Sequence, residues 1–177
     1  MKRRTGADDA HDDARPRHAS PQKLLEAAEV ARRASYSPYS GFAVGAALLT
    51  RGGRIVHGTN VENASFGLSL CAERNAVFKA VSEGDREFVA IAIAAGAGNV
   101  PAPCGACRQV LHEFAPTLCV YWRDGAGRIM VRKLEELLAS PFVFADQKRE
   151  PKRVAAPRGA KPARPRRTAA KPARRRA

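Results

Sequence analysis

Five residues in two short stretches carry most of the chemistry open to this chain. Cys71 is followed by Ala72, Glu73 and Arg74, and a second stretch reads Pro103, Cys104, Gly105, Ala106, Cys107, Arg108, Gln109. Three thiolates suit a zinc ion whose fourth position stays open, and a carboxylate beside such an ion can move protons, which together is the equipment for hydrolysis. Cysteines three apart at the start of a helix project from one face, so Cys104 and Cys107 can grip one ion while Cys71 closes the tripod from elsewhere. Glu73 lies two residues from Cys71, so on a helix it turns away from the metal and remains free to act as acid and base.

Three thiolates around one zinc leave a formal charge of about −1, which weakens the ion's power to acidify water. Helix N-termini aimed at the sulfurs would offset part of that charge, and Arg74 would offset more. Two other readings of the cysteines fit less. A structural zinc knuckle closed by Cys119 leaves Glu73 without a role, and Cys119 falls within the apolar run Leu118 to Tyr121, which reads as core. A redox Cys-x-x-Cys gives Cys71 nothing to do.

The two stretches are similar, in order and content, to the zinc signature of the cytidine deaminases, in the small form that uses three cysteines. The resemblance runs from about Gln22 to about Phe142 and takes in Tyr39-Ser40-Gly41-Phe42-Ala43-Val44-Gly45-Ala46-Ala47 and Asn60-Val61-Glu62-Asn63-Ala64-Ser65. It implies zinc held by Cys71, Cys104 and Cys107, one ion per subunit, with Glu73 as the proton shuttle and Arg74 as the charge-compensating cation. It also implies hydrolysis of cytidine and 2′-deoxycytidine to uridine and 2′-deoxyuridine with release of ammonia, in pyrimidine salvage. Asn60 and Glu62 alternate with Val61 and so share one side of an extended segment. Their spacing alone favours solvated loop residues, and it is the resemblance that assigns them to ribose hydroxyls. The resemblance further places Phe42 and Ala72 beside the base. Phe142 corresponds to a late aromatic that reaches a neighbouring subunit's pocket in tetrameric relatives, although Ser140, Pro141, Val143 and Phe144 around it depart from the usual small residues. A homotetramer follows as an expectation, with Gly67, Leu68 and Leu70 as candidate apolar groups for assembly.

The elements that must position these residues are readable from pattern. Ser20, Pro21 and the apolar set Leu24, Leu25, Ala28, Ala31 predict a helix to about Ser35, stopped by Pro38. Val44 to Thr50 reads as a buried strand, Gly52 and Gly53 as a turn, and Arg54 to Gly58 as the hairpin partner. A loop over Asn60 to Ser69 leads to a helix with Cys71 in its first turn and Gly84 as its stop. Phe88 to Ala95 is a continuous apolar run, as in a central strand. A helix over Cys104 to Ala115, strands over Thr117 to Trp122 and Arg128 to Val131, and a short helix over Lys133 to Leu138 complete the set. Alternating strands and helices predict an α/β sandwich with one mixed sheet, and the resemblance narrows this to a three-layer α/β/α fold with five strands.

Length and charge bound the rest. The 177 residues suit one domain over 20–146, with a disordered leader over 1–19 and a disordered basic tail over 147–177. The tail holds 13 Lys and Arg against the single acid Glu150, so it carries +12 of the total +14 and the body is nearly neutral. Such a tail predicts non-specific, salt-sensitive association with nucleic acid. A protein in which that tail dominates function is therefore an alternative class, and deamination of another cytosine-containing compound or of a polynucleotide is a third. A pocket that closes on the ribose 3′-hydroxyl argues against a polynucleotide, and the tail has no aromatic residues on which bases would stack. Lys2, Arg3 and Arg4 are followed by four aspartates rather than an apolar run, so no secretory signal is expected, and the cytoplasm is the expected location. Clustered cysteines there bind metal more often than they form bridges.

Overall fold

The computed structural model describes residues 19–144 except Ala97. The expected leader, apart from Ala19, and the expected tail lie outside the described residues. Helix α1 spans Pro21–Arg32, followed by strands β1 Val44–Thr50 and β2 Ile55–Thr59, a 3-10 turn at Phe66–Leu68 and helix α2 Ala72–Ser82. Strand β3 Phe88–Ala95, helix α3 Gly105–Phe114, strands β4 Cys119–Arg123 and β5 Ile129–Lys133, and helix α4 Leu134–Leu137 complete the order.

The strands form one sheet in the order β2-β1-β3-β4-β5, antiparallel throughout except for the parallel pair β3 and β4. This is the expected mixed five-stranded sheet. Its two faces are sorted by strand periodicity. In β3, Ile91 and Ile93 join the core formed with α2, α3 and α4, whereas Ala90, Ala92 and Ala94 join the core formed with α1. Burial on both faces is what makes β3 read as an unbroken apolar run. The small residues on the α1 side let that helix sit close: a Cβ placed on Gly45 would stand 2.1 Å from the Ala28 carbonyl oxygen.

Topology also explains why two distant cysteine stretches meet. β2 and β3 are each antiparallel to β1 and therefore parallel to each other. The helices that follow them, α2 and α3, both begin at the same edge of the sheet, the carboxyl edge of the strands, where open α/β sheets place their ligands.

Element ends shift by a few residues from the sequence expectation, with local causes. Helix α1 stops at Arg32 rather than Ser35, because Ala34 and Ser35 donate back to Ala31 and Arg32 in a tightening turn and Tyr36 N–H goes to the Asn60 carbonyl. Cys71 caps α2 in extended conformation (φ −74°, ψ 155°) instead of lying in its first turn. Strand β4 starts at Cys119 rather than Thr117, since Leu118 N–H closes a turn onto the Ala115 carbonyl.

Candidate active site

Cys71 and Cys104 are the N-caps of α2 and α3, and Cys107 lies one turn into α3. Their sulfurs converge: Cys71 Sγ to Cys104 Sγ is 3.9 Å, Cys104 Sγ to Cys107 Sγ is 3.5 Å, and all three lie within 4.8 Å of one another. Zinc–sulfur bonds near 2.3 Å in tetrahedral array place sulfurs about 3.8 Å apart, so the cradle fits zinc. Among the described residues this is the one cluster of three or more potential ligands.

Arg74 is turned onto the same sulfurs. Its Nη2 donates to Cys71 Sγ at 3.6 Å and to the Ser69 carbonyl at 3.3 Å, while its buried Nε has no hydrogen-bond partner. Leaving a buried N–H unmatched costs on the order of 1–3 kcal/mol, a penalty that makes sense if the guanidinium is there to face anionic sulfur. The contact with Cys71 holds the Arg74 pKa above its ordinary value. The neighbouring Cys107 thiol, with help from Arg74 and Cys104, brings the Cys71 thiol down to about 5 against the opposing effect of its burial. The neighbouring Cys71 sulfur and burial push the Cys107 thiol up. A thiol that becomes a zinc ligand gives up its proton.

Glu73, in the first turn of α2, is 5 % exposed. Burial raises its carboxyl pKa, and the charge on Cys71 raises it further, against the opposing pull of hydrogen bonding with Cys107 and of Arg74. A carboxyl so placed is poised to hold and release a proton beside the cradle.

Cys71, Ala72 and Glu73 line a cavity of about 270 Å³ together with Phe42, Asn60 and Glu62. The structure thus brings every candidate site residue in the first 73 positions to one place. Asn60 is heavily used within the protein: its Oδ1 accepts from Ser35 Oγ at 2.5 Å and from Val44 N at 2.8 Å, and its Nδ2 donates to the Phe42 carbonyl at 2.9 Å. Glu62 accepts from the Tyr39 and Ser40 amides at 2.9 and 3.2 Å and from the Ser40 hydroxyl, and these bonds, the hydroxyl's above all, lower its pKa. The two side chains therefore build the wall of the cavity as well as line it. Phe142 is not among the residues lining this cavity, and its side chain is largely exposed, at 69 %. Sequence reading did not single out Leu70, Ile93 or Pro101 as cavity residues. Their apolar character gave no signal distinct from core, and only the strand order brings them here.

Thiol N-caps on two adjacent helices, with a buried glutamate in the first turn of one of them, define a metal site with an acid/base group beside it. The family model for the cytidine and deoxycytidylate deaminase zinc-binding region matches residues 19–122. A cytidine deaminase of Halalkalibacterium halodurans is 48 % identical over 126 residues, which cover 71 % of this chain and 96 % of that protein. The crystal structure of cytidine deaminase from Burkholderia pseudomallei superposes with a TM-score of 0.67 at 48 % identity, covering 70 % of this chain and 100 % of that one. That of Mycobacterium tuberculosis superposes with a TM-score of 0.64 at 42 % identity, covering 72 % and 100 %. The chain belongs to the cytidine deaminase family, and its metal is zinc.

Proposed function

We propose that the protein hydrolyses cytidine and 2′-deoxycytidine to uridine and 2′-deoxyuridine with release of ammonia, as a step of pyrimidine salvage. The observation that carries this reading is the buried Glu73 carboxyl beside three converging thiols, at a cavity that also holds Asn60 and Glu62. A cavity of about 270 Å³ suits one small molecule rather than a polymer strand.

Cys71, Cys104 and Cys107 would hold the zinc, whose Lewis acidity makes water a competent nucleophile near neutral pH. The remaining steps belong to the protein. Glu73 takes a proton from the attacking water and delivers it to N3 of the pyrimidine as the new C–O bond forms at C4. It then moves the proton of the C4 hydroxyl to the amino nitrogen; the C4–N bond breaks, and ammonia and uridine result. Asn60 and Glu62 receive the ribose hydroxyls, Asn60 through the amide N–H that Phe42 does not use, while Phe42 and Ala72 flank the base. Arg74 offsets the negative charge of the three thiolates. Replacing it with glutamine is expected to lower zinc affinity or kcat by about 10–100-fold, read by chelator competition and by uridine formation.

The same reading makes the protein a cytoplasmic homotetramer in which Phe142 of one copy closes the pocket of the next. Exposed Phe66 and Leu68, at 74 % and 68 %, suit burial in such an assembly. No helix among the described residues is long and apolar enough to cross a membrane. The domain spans 20–146, and the tail over 147–177 adds optional, non-specific nucleic-acid binding. A version ending at Asp146 is expected to keep its turnover of cytidine and to lose the salt-sensitive gel shift of DNA that the full chain gives. Equal DNA affinity in both forms would remove the tail from the reading, and absence of uridine formation by the full, zinc-loaded chain would remove the activity.

A further inference from the structure

Arg108 and Gln109 directly follow the third cysteine, and nothing in the chemistry above uses them. Both reach from α3 to the chain's later segment. Gln109 Nε2 donates to the Phe142 carbonyl at 2.8 Å, and Phe142 N–H donates to Gln109 Oε1 at 3.0 Å. The side-chain amide thus pairs with both peptide groups of one residue, as a neighbouring strand would. Arg108 donates from Nη1 to the Leu137 carbonyl at 2.8 Å and from Nε to the Pro103 carbonyl, also at 2.8 Å. The chain is therefore pinned to the helix that bears Cys107 at two points, the end of α4 at Leu137 and Phe142 beyond it, and Arg108 also braces the residue preceding Cys104.

We propose that Gln109 is a positioning residue for substrate binding: its two-point clamp on the Phe142 backbone sets where the exposed Phe142 ring is presented to a neighbouring copy's pocket. This rests on the reading of Phe142 given above. The ring itself is 69 % exposed, and the clamp fixes the backbone that carries it. A clamp made by a side chain of the metal-binding helix ties that backbone to the helix rather than to a loop. An unclamped segment would have to be ordered each time substrate binds, and that entropy would appear in KM.

The test uses the full, zinc-loaded protein and cytidine as substrate, with Gln109→Leu, Phe142→Ala and the double variant. Gln109→Leu is expected to raise KM about tenfold, the scale of two lost hydrogen bonds, with kcat within about twofold of the parent and one zinc per subunit retained. Hydrogen exchange across residues 138–143 should quicken in this variant while α3 keeps its protection. In the Phe142→Ala background the same substitution should add little to KM, because both changes act through one ring. Gln109→Glu keeps the acceptor for Phe142 N–H and loses the donor to its carbonyl, so a smaller rise in KM is expected; it also serves if the leucine variant does not fold. An unchanged KM in both Gln109 variants alongside a raised KM in Phe142→Ala overturns the clamp and leaves the Phe142 reading standing. Multiplying effects in the double variant, or loss of zinc from both Gln109 variants, also overturns it. A Phe142→Ala protein with parental KM removes the reading of Phe142 and the clamp's purpose with it.

Discussion

Glu73→Gln is expected to lower kcat for cytidine by about 10²–10⁴-fold while leaving zinc content and fold in place. The substitution keeps the size of the side chain, so the buried space at the start of α2 stays filled. It removes the ability to gain and lose a proton, which the proposed reaction uses twice, once toward N3 and once toward the departing nitrogen. The effect should fall on kcat, because Asn60, Glu62 and Phe42, which face the same cavity and are the proposed partners of ribose and base, are untouched. Stability should not suffer. A carboxyl that is 5 % exposed resists ionisation, and an uncharged amide carries no such burden, so the variant's melting temperature should equal or exceed that of the parent. Single-turnover uridine formation, elemental analysis for zinc and thermal melts read the three parts separately. Turnover within tenfold of the parent, at full zinc content, would remove Glu73 from the proton path.

Much of the frame that makes this site was legible because it depends on local pattern. Strands β1 and β3 were readable to the residue, since an apolar run bounded by turn signals has no competing period. The pair Cys104 and Cys107 was equally plain, because a spacing of three on a helix start has one geometric consequence. Other features depend on contacts between distant segments, and no window of sequence contains those. Asn60 read from its spacing as a solvated loop residue and from the resemblance as a ribose ligand, yet most of its amide is spent joining Ser35 to Phe42 and Val44, residues that only the fold brings within its reach. Cys119 read as core from its apolar neighbours and does pack, half-buried, against the core on the α1 side, but the Lys133 Nζ that the pairing of β4 with β5 brings to 3.3 Å from its sulfur had no signal in the sequence. Arg108 and Gln109 were visible as part of a motif and silent as to purpose, because their partners lie some thirty residues further along the chain.

Gly58 shows the same principle with the larger consequence for function. It sits in β2 directly beneath α2, and a Cβ there would lie 2.2 Å from the Ala72 carbonyl oxygen, 2.5 Å from Ala76 N and 2.9 Å from Ala76 Cα. All three are backbone atoms, so no rotamer change relieves the clash, and α2 must move outward by roughly 1 Å to restore van der Waals distance. The helix is further held down at this point by Asn75, whose Nδ2 donates to the Thr59 carbonyl at 2.7 Å. Gly58→Ala is therefore expected to destabilise the protein by about 1–3 kcal/mol. The functional cost should exceed what that number suggests, because α2 carries Cys71 and Glu73 whereas Cys104 and Cys107 ride on α3. A shift of about 1 Å in one helix alone opens the sulfur cradle and moves the carboxyl off line, and displacements of that size cost on the order of 100-fold in rate. Zinc occupancy should fall in parallel. Gly45→Ala makes the matching test on the other face of the sheet: its Cβ would stand 2.1 Å from the Ala28 carbonyl oxygen of α1, a helix that supplies no ligand. A comparable loss of stability is expected there, with zinc content retained and kcat/KM changed by less than about tenfold. If the two variants lose activity equally at equal zinc content, or if Gly58→Ala keeps parental kcat/KM, the close seat of α2 on β2 is not what registers the two halves of the metal centre.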